Sequence, residues 1–177
     1  MFTKYVPIKI LEFFLRNPTR EIYLKELSRT LKISSGSASN ILKYFLKQNY
    51  LKLKIEGNLH KYKLNNDSLI VKQMKVINNL FLLEKYINLL KKEDVYSIIL
   101  YGSYANGTNI EESDIDILII SNLDFLKETQ IIEQKLEKEV NIDVLSIEKW
   151  KNIKRKDRVF YDNIMRNHII LYGEFLI

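Results

Sequence analysis

Residues 102–107 have the sequence Gly-Ser-Tyr-Ala-Asn-Gly, and residues 113–117 have the sequence Ser-Asp-Ile-Asp-Ile. The first segment follows an apolar run, residues 95–101, and the second opens another apolar run. Residues two apart in a strand point to the same face, about 6.6 Å apart along the chain, so Asp114 and Asp116 can converge on one metal ion. A phosphate-sized turn beside a carboxylate pair predicts nucleotide chemistry.

The composition is that of a folded protein. Of the 177 residues, 46% are hydrophobic and none is cysteine, which excludes a disulfide scaffold and any cysteine-based metal site or nucleophile. We find no run of 18 apolar residues and no signal-peptide pattern. We therefore expect a cytoplasmic protein with no membrane partner.

The charge of the chain is unevenly distributed around a net value of +6. Residues 1–65 carry 13 Lys and Arg against 4 Asp and Glu, whereas residues 95–177 carry 10 against 14. A basic front half and an acidic back half predict two modules, the first suited to a polyanion. The alternative is that lysine is simply the common surface residue of this chain.

Three helices and a hairpin are predicted in the front half. Apolar residues recur at helical spacing from Val6 to Leu15 and again from Leu24 to Leu31. Either Ser34 or Ser35 is a suitable N-cap for a third helix that ends near Gln48. Alternating apolar residues on either side of a Gly-Asn turn then predict a β-hairpin.

This order of elements resembles the winged helix-turn-helix family over residues 5–65. The resemblance implies that the third helix enters the major groove of double-stranded DNA and that the hairpin is a wing that contacts its backbone. The alternatives are a dimerisation or protein-docking module, or a helix face that is merely solvated. The candidate DNA contacts are Ser35, Ser37, Ser39, Asn40 and Lys43 on the helix, and Lys54, His60 and Lys61 on the hairpin.

One long apolar helix is predicted to follow. Residues 68–92 contain no proline or glycine and are apolar around much of the helix circumference. Such a helix must be buried, either between the modules or across a homodimer, or else within one chain. The sequence leaves these alternatives open.

A third carboxylate stands out in the back half. After the second strand and a helix over about residues 123–139, a strand is predicted over residues 141–147, with Asp143 between Ile142 and Val144. We interpret Asp143 as a buried carboxylate. Because burial of a charge is costly unless a partner or metal compensates it, it is a candidate third metal ligand.

Together these motifs resemble the minimal nucleotidyltransferases of the polymerase-β-like superfamily, over residues 95–177. The resemblance implies ATP as substrate and Mg²⁺ as cofactor, with Gly102 and Ser103 contacting the triphosphate. It implies that Asp114 and Asp116 are catalytic and bind Mg²⁺. It implies that Asp143 is catalytic as well, either as a ligand that completes a second metal site or as the base towards the incoming hydroxyl. Asn106 departs from the pattern, since relatives often have a basic residue there.

The sequence therefore predicts an α+β protein with a winged helix-turn-helix over residues 1–65, a linker helix over residues 66–94, and a small α/β nucleotidyltransferase domain with a mixed sheet over residues 95–177. The resemblance implies Mg²⁺-dependent transfer of AMP to a protein acceptor. The acceptor it suggests is a HEPN-type toxin, with the chain as a DNA-binding, autoregulating antitoxin. Two alternatives are a transcriptional regulator with a catalytically silent nucleotide-sensing domain, and an enzyme that modifies a small molecule.

Overall fold

The computed structural model describes residues 5–174, which divide into two compact units, one ending at Asn78 and the other beginning at Asn79. The first contains α1 (Val6–Arg16), β1 (Ile22–Tyr23), α2 (Leu24–Leu31), α3 (Ser35–Lys47), β2 (Leu51–Glu56) and β3 (Leu59–Leu64). Helix α4 (Leu69–Leu90) crosses the boundary. The second contains β4 (Val95–Tyr101), α5 (Gly102–Asn106), β5 (Ile115–Ser121), α6 (Leu126–Leu136), β6 (Val140–Leu145), α7 (Ile147–Lys156), α8 (Arg158–Arg166) and β7 (His168–Gly173).

The first unit contains every helix and the hairpin predicted for it. Strands β2 and β3 pair antiparallel around Gly57, and β1 adds a third strand beside β3. Phe14, Leu27 and Leu42, one from each of the three helices, are fully buried in a common core. Of the two candidate N-caps for α3, Ser34 is the one used, since its Oγ accepts a hydrogen bond from the Ser37 amide at 3.1 Å.

The second unit is built on a mixed four-stranded sheet with strand order β6-β5-β4-β7. Strand β4 pairs antiparallel with β5 and β7, whereas β5 and β6 are parallel. One face of the sheet packs against residues of α4, α5 and α6. The other face packs against α7 and α8, chiefly through Trp150 and Ile164. Because helices cover both faces, β4 and β5 are largely buried and rich in isoleucine and leucine, with a few polar residues such as Ser97 and Asp116.

The end of the chain adds elements that the sequence did not predict. Two helices, α7 and α8, follow β6, and β7 then pairs with the outer edge of β4. Strand β6 ends at Leu145 rather than at residue 147, because Ser146 caps α7 by accepting a hydrogen bond from the Lys149 amide. Helix α6 is also shorter than predicted and stops where Glu137 adopts a left-handed conformation, φ 52°.

The predicted long helix is confirmed as α4, which spans 22 residues. Val71 and Met74 pack into the core of the first unit. Leu83, Tyr86 and Leu90 pack into the core of the second unit. No helix among residues 5–174 is long and apolar enough to cross a membrane.

The Ser34 cap gives a prediction for the first unit. Replacing Ser34 with Ala should lower the free energy of unfolding of this unit by about 1 kcal/mol, because the Ser37 amide loses its partner. Hydrogen exchange of the α3 amides measures the loss. Ser35→Ala is the matched control and should cost nothing, since Ser35 lies inside the helix and alanine is the better helix former. Equal protection of the α3 amides from hydrogen exchange in the two variants would contradict the assignment of Ser34 as the N-cap.

Candidate active site and candidate DNA interface

Three polar side chains form a row across the sheet of the second unit. The strand register pairs Tyr101 of β4 with Asp116 of β5, and pairs Asp116 with Asn141 of β6. Cross-strand partners point to the same face of a sheet, so the three side chains share a face. Ile115 and Ile117 point the other way and are buried beneath α4 and α6, as the alternation predicts.

The turn after β4 lies directly against this row. Gly102 has a φ of +68°, which favours glycine, and a Cβ built there would lie 2.3 Å from Asp116 Oδ2. No side chain larger than hydrogen fits without displacing the carboxylate. The glycine of the Gly-Ser motif therefore allows the turn backbone and the Asp116 carboxylate to approach each other closely.

The two carboxylates of the Asp-Ile-Asp motif are brought together through Asn141. Its Nδ2 donates one hydrogen bond to Asp114 Oδ2 and another to Asp116 Oδ1, both at 3.2 Å. Asp114 immediately precedes β5, and the next amide, that of Ile115, donates to Glu139 O at 3.0 Å. Asp114 and Asp116 thus lie beside one shared donor, and their convergence on a metal ion stays a prediction.

Asp143 is not the buried carboxylate that the sequence suggested. It is exposed, because β6 is an edge strand and its side chain is not covered by a neighbouring strand. Its Oδ2 accepts a hydrogen bond from the Tyr101 hydroxyl at 2.6 Å. That bond spans the intervening strand β5, and the Tyr101 ring packs edge-on against Phe160 of α8 with 5.9 Å between centroids.

The surroundings of Asp116 and Tyr101 raise the pKa of both side chains. Burial raises the pKa of Asp116 above its usual range, and the negative charges of Asp114 and Asp143 add to this, while the Asn141 hydrogen bond opposes it. Burial, and then the Asp143 hydrogen bond, also raise the pKa of the Tyr101 hydroxyl. Tyr101 therefore remains a protonated donor towards Asp143.

The segment between the two motifs is held by hydrogen bonds from α4 and by hydrogen bonds within the segment itself. Asn79 Nδ2, buried on α4, donates to Tyr104 O and to Asn109 Oδ1, both at 3.0 Å. Asn106 Oδ1 accepts from the Thr108 amide at 2.9 Å, so this departure from the family pattern serves the turn after α5. Ser103 is half-buried within the first turn of α5.

The donor set fits a divalent cation that prefers oxygen ligands. Asp114 and Asp116 direct carboxylate oxygens at one shared amide donor, and carboxylate oxygens are ligands that Mg²⁺ prefers. Among residues 5–174 no three His, Asp or Glu side chains are grouped to hold a metal ion. The part of Asp143 as a third ligand therefore stays a prediction.

Comparison with known proteins identifies the second unit. The family model described as a nucleotidyltransferase domain matches residues 83–171, half of the chain. The chain belongs to the nucleotidyltransferase domain family. The matched segment begins within α4 and contains the Gly102 turn, both motif carboxylates and Asn141. The sequence prediction of a nucleotidyltransferase is confirmed at the level of the family.

Curated relatives of the nucleotidyltransferase domain come from Methanocaldococcus jannaschii. One protein named "putative protein adenylyltransferase" is 48% identical over 46 residues, which are 24% of this chain and 46% of that protein. A second with the same name is 44% identical over 50 residues, 27% of this chain and 33% of that protein. The chain thus spans less than half the length of these two relatives.

One solved structure, a toxin-antitoxin with AMP-PNP, aligns with 55% of this chain and 73% of its own, at 22% identity and a TM-score of 0.37. A nucleotidyltransferase structure from Sulfolobus solfataricus aligns with 60% of this chain and 95% of its own, at 19% identity and a TM-score of 0.36. Both likenesses are too low to support a conclusion about this chain.

The candidate DNA contacts on α3 differ in exposure. Ser35, Asn40 and Lys43 are exposed, whereas Ser37 and Ser39 are half-buried. The Ser37 amide is already engaged by the Ser34 cap. The exposed members can meet a partner directly, and whether that partner is DNA stays a prediction.

The hairpin is less cationic than its lysines alone suggest. Glu56 Oε1 lies 2.9 Å from Lys54 Nζ, and Glu56 Oε2 lies 2.7 Å from Lys61 Nζ. These two lysines lower the pKa of Glu56 to about 2. Lys54 also lies 3.7 Å from Glu21, whereas His60 is exposed near the tip of the hairpin.

Sequence reasoning missed Tyr101 and Asn141 as members of the site. Asn141 lies two residues before Asp143, so strand periodicity alone places both on one face and could have identified it. Tyr101 gives no such signal, because its hydrogen bond to Asp143 depends on the order of the strands in the sheet.

The contact at Gly102 gives a prediction for the nucleotidyltransferase domain. Gly102→Ala should lower its free energy of unfolding by about 2 kcal/mol, because the new Cβ meets the Asp116 carboxylate in a left-handed conformation. The single tryptophan, buried Trp150, reports this unit by fluorescence during urea denaturation.

The matched control is Gly36→Ala in α3, where a Cβ meets nothing within 4 Å. It should leave the Trp150 transition unchanged, since Gly36 belongs to the first unit. A Gly102→Ala transition that coincides with that of the wild type would contradict the close approach.

Proposed function

We propose that the chain is a Mg²⁺-dependent nucleotidyltransferase that transfers AMP from ATP to a hydroxyl group of a protein acceptor. The observation that carries the proposal is the packing of the Gly102 turn against Asp116, with Asp114 held beside it through Asn141. Membership of the nucleotidyltransferase family supports the reaction. The names of the Methanocaldococcus jannaschii relatives support adenylyl transfer to protein.

Each residue of the site has a part in the proposed reaction. The Gly102 backbone and the Ser103 hydroxyl hold phosphate oxygens of ATP, and Asp114 and Asp116 hold the cation. Bound Mg²⁺ would neutralise the negative charge that develops on the triphosphate. The acceptor oxygen forms a bond to the α-phosphorus, the bond from that phosphorus to pyrophosphate breaks, and pyrophosphate leaves.

Asp143 takes the proton of the acceptor hydroxyl in this scheme. Its exposure on the edge strand leaves it accessible to a large acceptor. A carboxylate has two oxygens, so Oδ1 can receive the proton while Oδ2 keeps the hydrogen bond from Tyr101. Tyr101 thereby orients the base without giving up its own proton.

The acceptor we propose is a HEPN-type toxin, and the first unit is proposed to bind double-stranded DNA as a winged helix-turn-helix. The exposed residues Ser35, Asn40 and Lys43 on α3 and the lysine-rich hairpin support the DNA proposal. Together the two activities would make the chain an antitoxin that also represses its own synthesis.

A second candidate function is nucleotide sensing without catalysis in a transcriptional regulator. Two observations favour it. Asp143 hydrogen-bonds to Tyr101, and no three acidic side chains among the described residues are grouped for a metal. In this case the second unit would bind ATP and transfer nothing. The experiment that follows separates the two functions.

Asp114→Asn with Asp116→Asn should reduce transfer at least about 100-fold, because the cation loses both carboxylates. The assay incubates purified protein with α-labelled ATP, Mg²⁺ and a lysate of the source organism. Label on a discrete protein identifies the acceptor. The double variant should be at least as stable as the wild type, since it removes the charge of Asp116, whose pKa is raised by burial and further by the repulsion of Asp114 and Asp143.

The matched control is Glu111→Gln with Glu112→Gln, which removes the same charge from the neighbouring loop and should retain transfer. Label that persists in the Asp114, Asp116 double variant would contradict this active site. ATP binding with no label from the wild type would favour the sensing function.

The Glu56 contacts give a prediction for DNA binding. Glu56→Gln should strengthen binding to double-stranded DNA about two- to fivefold at low salt, because Lys54 and Lys61 lose the carboxylate that neutralises them. Fluorescence anisotropy with a labelled duplex, repeated over a salt series, measures the affinity and its salt dependence, and the salt dependence should become steeper.

Glu93→Gln, an equal charge change at an exposed position in the second unit, is the control and should have little effect. Equal strengthening by both variants would attribute the effect to net charge rather than to the hairpin. Unchanged affinity in Glu56→Gln would contradict the DNA proposal for this surface.

A further inference from the structure

Asn141 occupies a particular place in the site. Its Nδ2 lies 3.2 Å from Asp114 Oδ2 and 3.2 Å from Asp116 Oδ1, so each of its two N–H groups serves one carboxylate. The residue is neutral and half-buried. The strand register fixes its backbone opposite Asp116. One amide therefore holds together two groups that repel each other.

We propose that Asn141 is a positioning residue that occupies the place of the cation between Asp114 and Asp116 while the site is metal-free, and that yields this place when the cation binds. The inference rests on the metal site of the proposed function. It concerns a different residue and a different step, namely the state of the site before the metal enters.

The geometry supports competition between the amide and a cation. Mg²⁺ binds carboxylate oxygens at about 2.0–2.1 Å, and the two carboxylate oxygens that converge on one point, Asp114 Oδ2 and Asp116 Oδ1, are those that accept from Asn141. An N–H group directed at these oxygens carries partial positive charge, so it faces the cation unfavourably. A cation held by these two oxygens would take the place of the amide and would break both hydrogen bonds.

The chemistry of asparagine suits this part. A lysine at this position would form ion pairs with both carboxylates and compete with the metal as a full charge. An alanine would leave the two carboxylates to repel each other without a donor. A neutral amide keeps them aligned at a small net free-energy cost to metal binding, since a neutral hydrogen bond contributes less than a charged one.

The test measures binding of Mn²⁺ alone to the full chain, by the electron paramagnetic resonance signal of free Mn²⁺. Asn141→Ala should bind Mn²⁺ about three- to tenfold more tightly, because the competing hydrogen bonds are gone. The Tm of Asn141→Ala in EDTA should fall below that of the wild type. Saturating Mn²⁺ should raise the Tm of this variant by more than it raises the Tm of the wild type. The control Asn163→Ala, at an exposed asparagine of α8, should change neither quantity.

A second variant, Asn141→Asp, guards against a packing defect in the alanine variant. It keeps the shape of the side chain and replaces the donors by a third carboxylate, so Mn²⁺ should bind still more tightly and the Tm in EDTA should fall further. Weaker Mn²⁺ binding by Asn141→Ala would identify Asn141 as a metal ligand, and unchanged binding with unchanged Tm would make it a bystander. Either result overturns the inference.

The same titration separates this inference from the proposed function. A wild type that binds Mn²⁺ with the affinity of Asn141→Ala contradicts the inference alone and leaves the metal-dependent reaction standing. A wild type and variants that bind no Mn²⁺ at millimolar concentration contradict both. Transfer activity plays no part in these readouts.

Discussion

The second unit depends on the placement of one carboxylate, that of Asp116, between a glycine turn and an amide. Oδ2 of this carboxylate lies where a Cβ of Gly102 would be, and Oδ1 accepts from Asn141. The register of three adjacent strands holds all of these groups, since Tyr101, Asp116 and Asn141 are cross-strand partners. A one-residue change in the register of any of these strands would turn its member of the row to the opposite face.

The site is assembled from groups that oppose folding. Asp116 is partly buried beside two other negative charges, and its pKa is raised for that reason. Neutral donors hydrogen-bond to all three carboxylates. Asn141 donates to Asp114 and Asp116, and Tyr101 donates to Asp143. Neutral donors align carboxylates without neutralising them, which keeps their charge available for a cation. Unfavourable electrostatic interactions of this kind are expected where a fold holds several carboxylates close together for a functional site.

Much of the fold could be predicted because its signals are local. Helical spacing gave α1 to α4 nearly to their ends, and alternation around Gly57 gave the hairpin. The boundaries that differ are set by single contacts, such as the Ser146 cap that ends β6. The elements α7, α8 and β7 were missed because short amphipathic helices and an edge strand carry weak periodic signals.

The sequence by itself determined the residue types and the local spacing of the candidate site. The glycine turn, the Asp-Ile-Asp spacing and the burial of Ile115 and Ile117 follow from residue type and strand periodicity, which act over neighbouring residues. Only the tertiary structure decided which groups surround the carboxylates. Asp143 is exposed because β6 lies at the sheet edge, and Tyr101 reaches it across β5 because of the strand order. Strand order and register arise from contacts between residues far apart in the chain, and no local pattern encodes them.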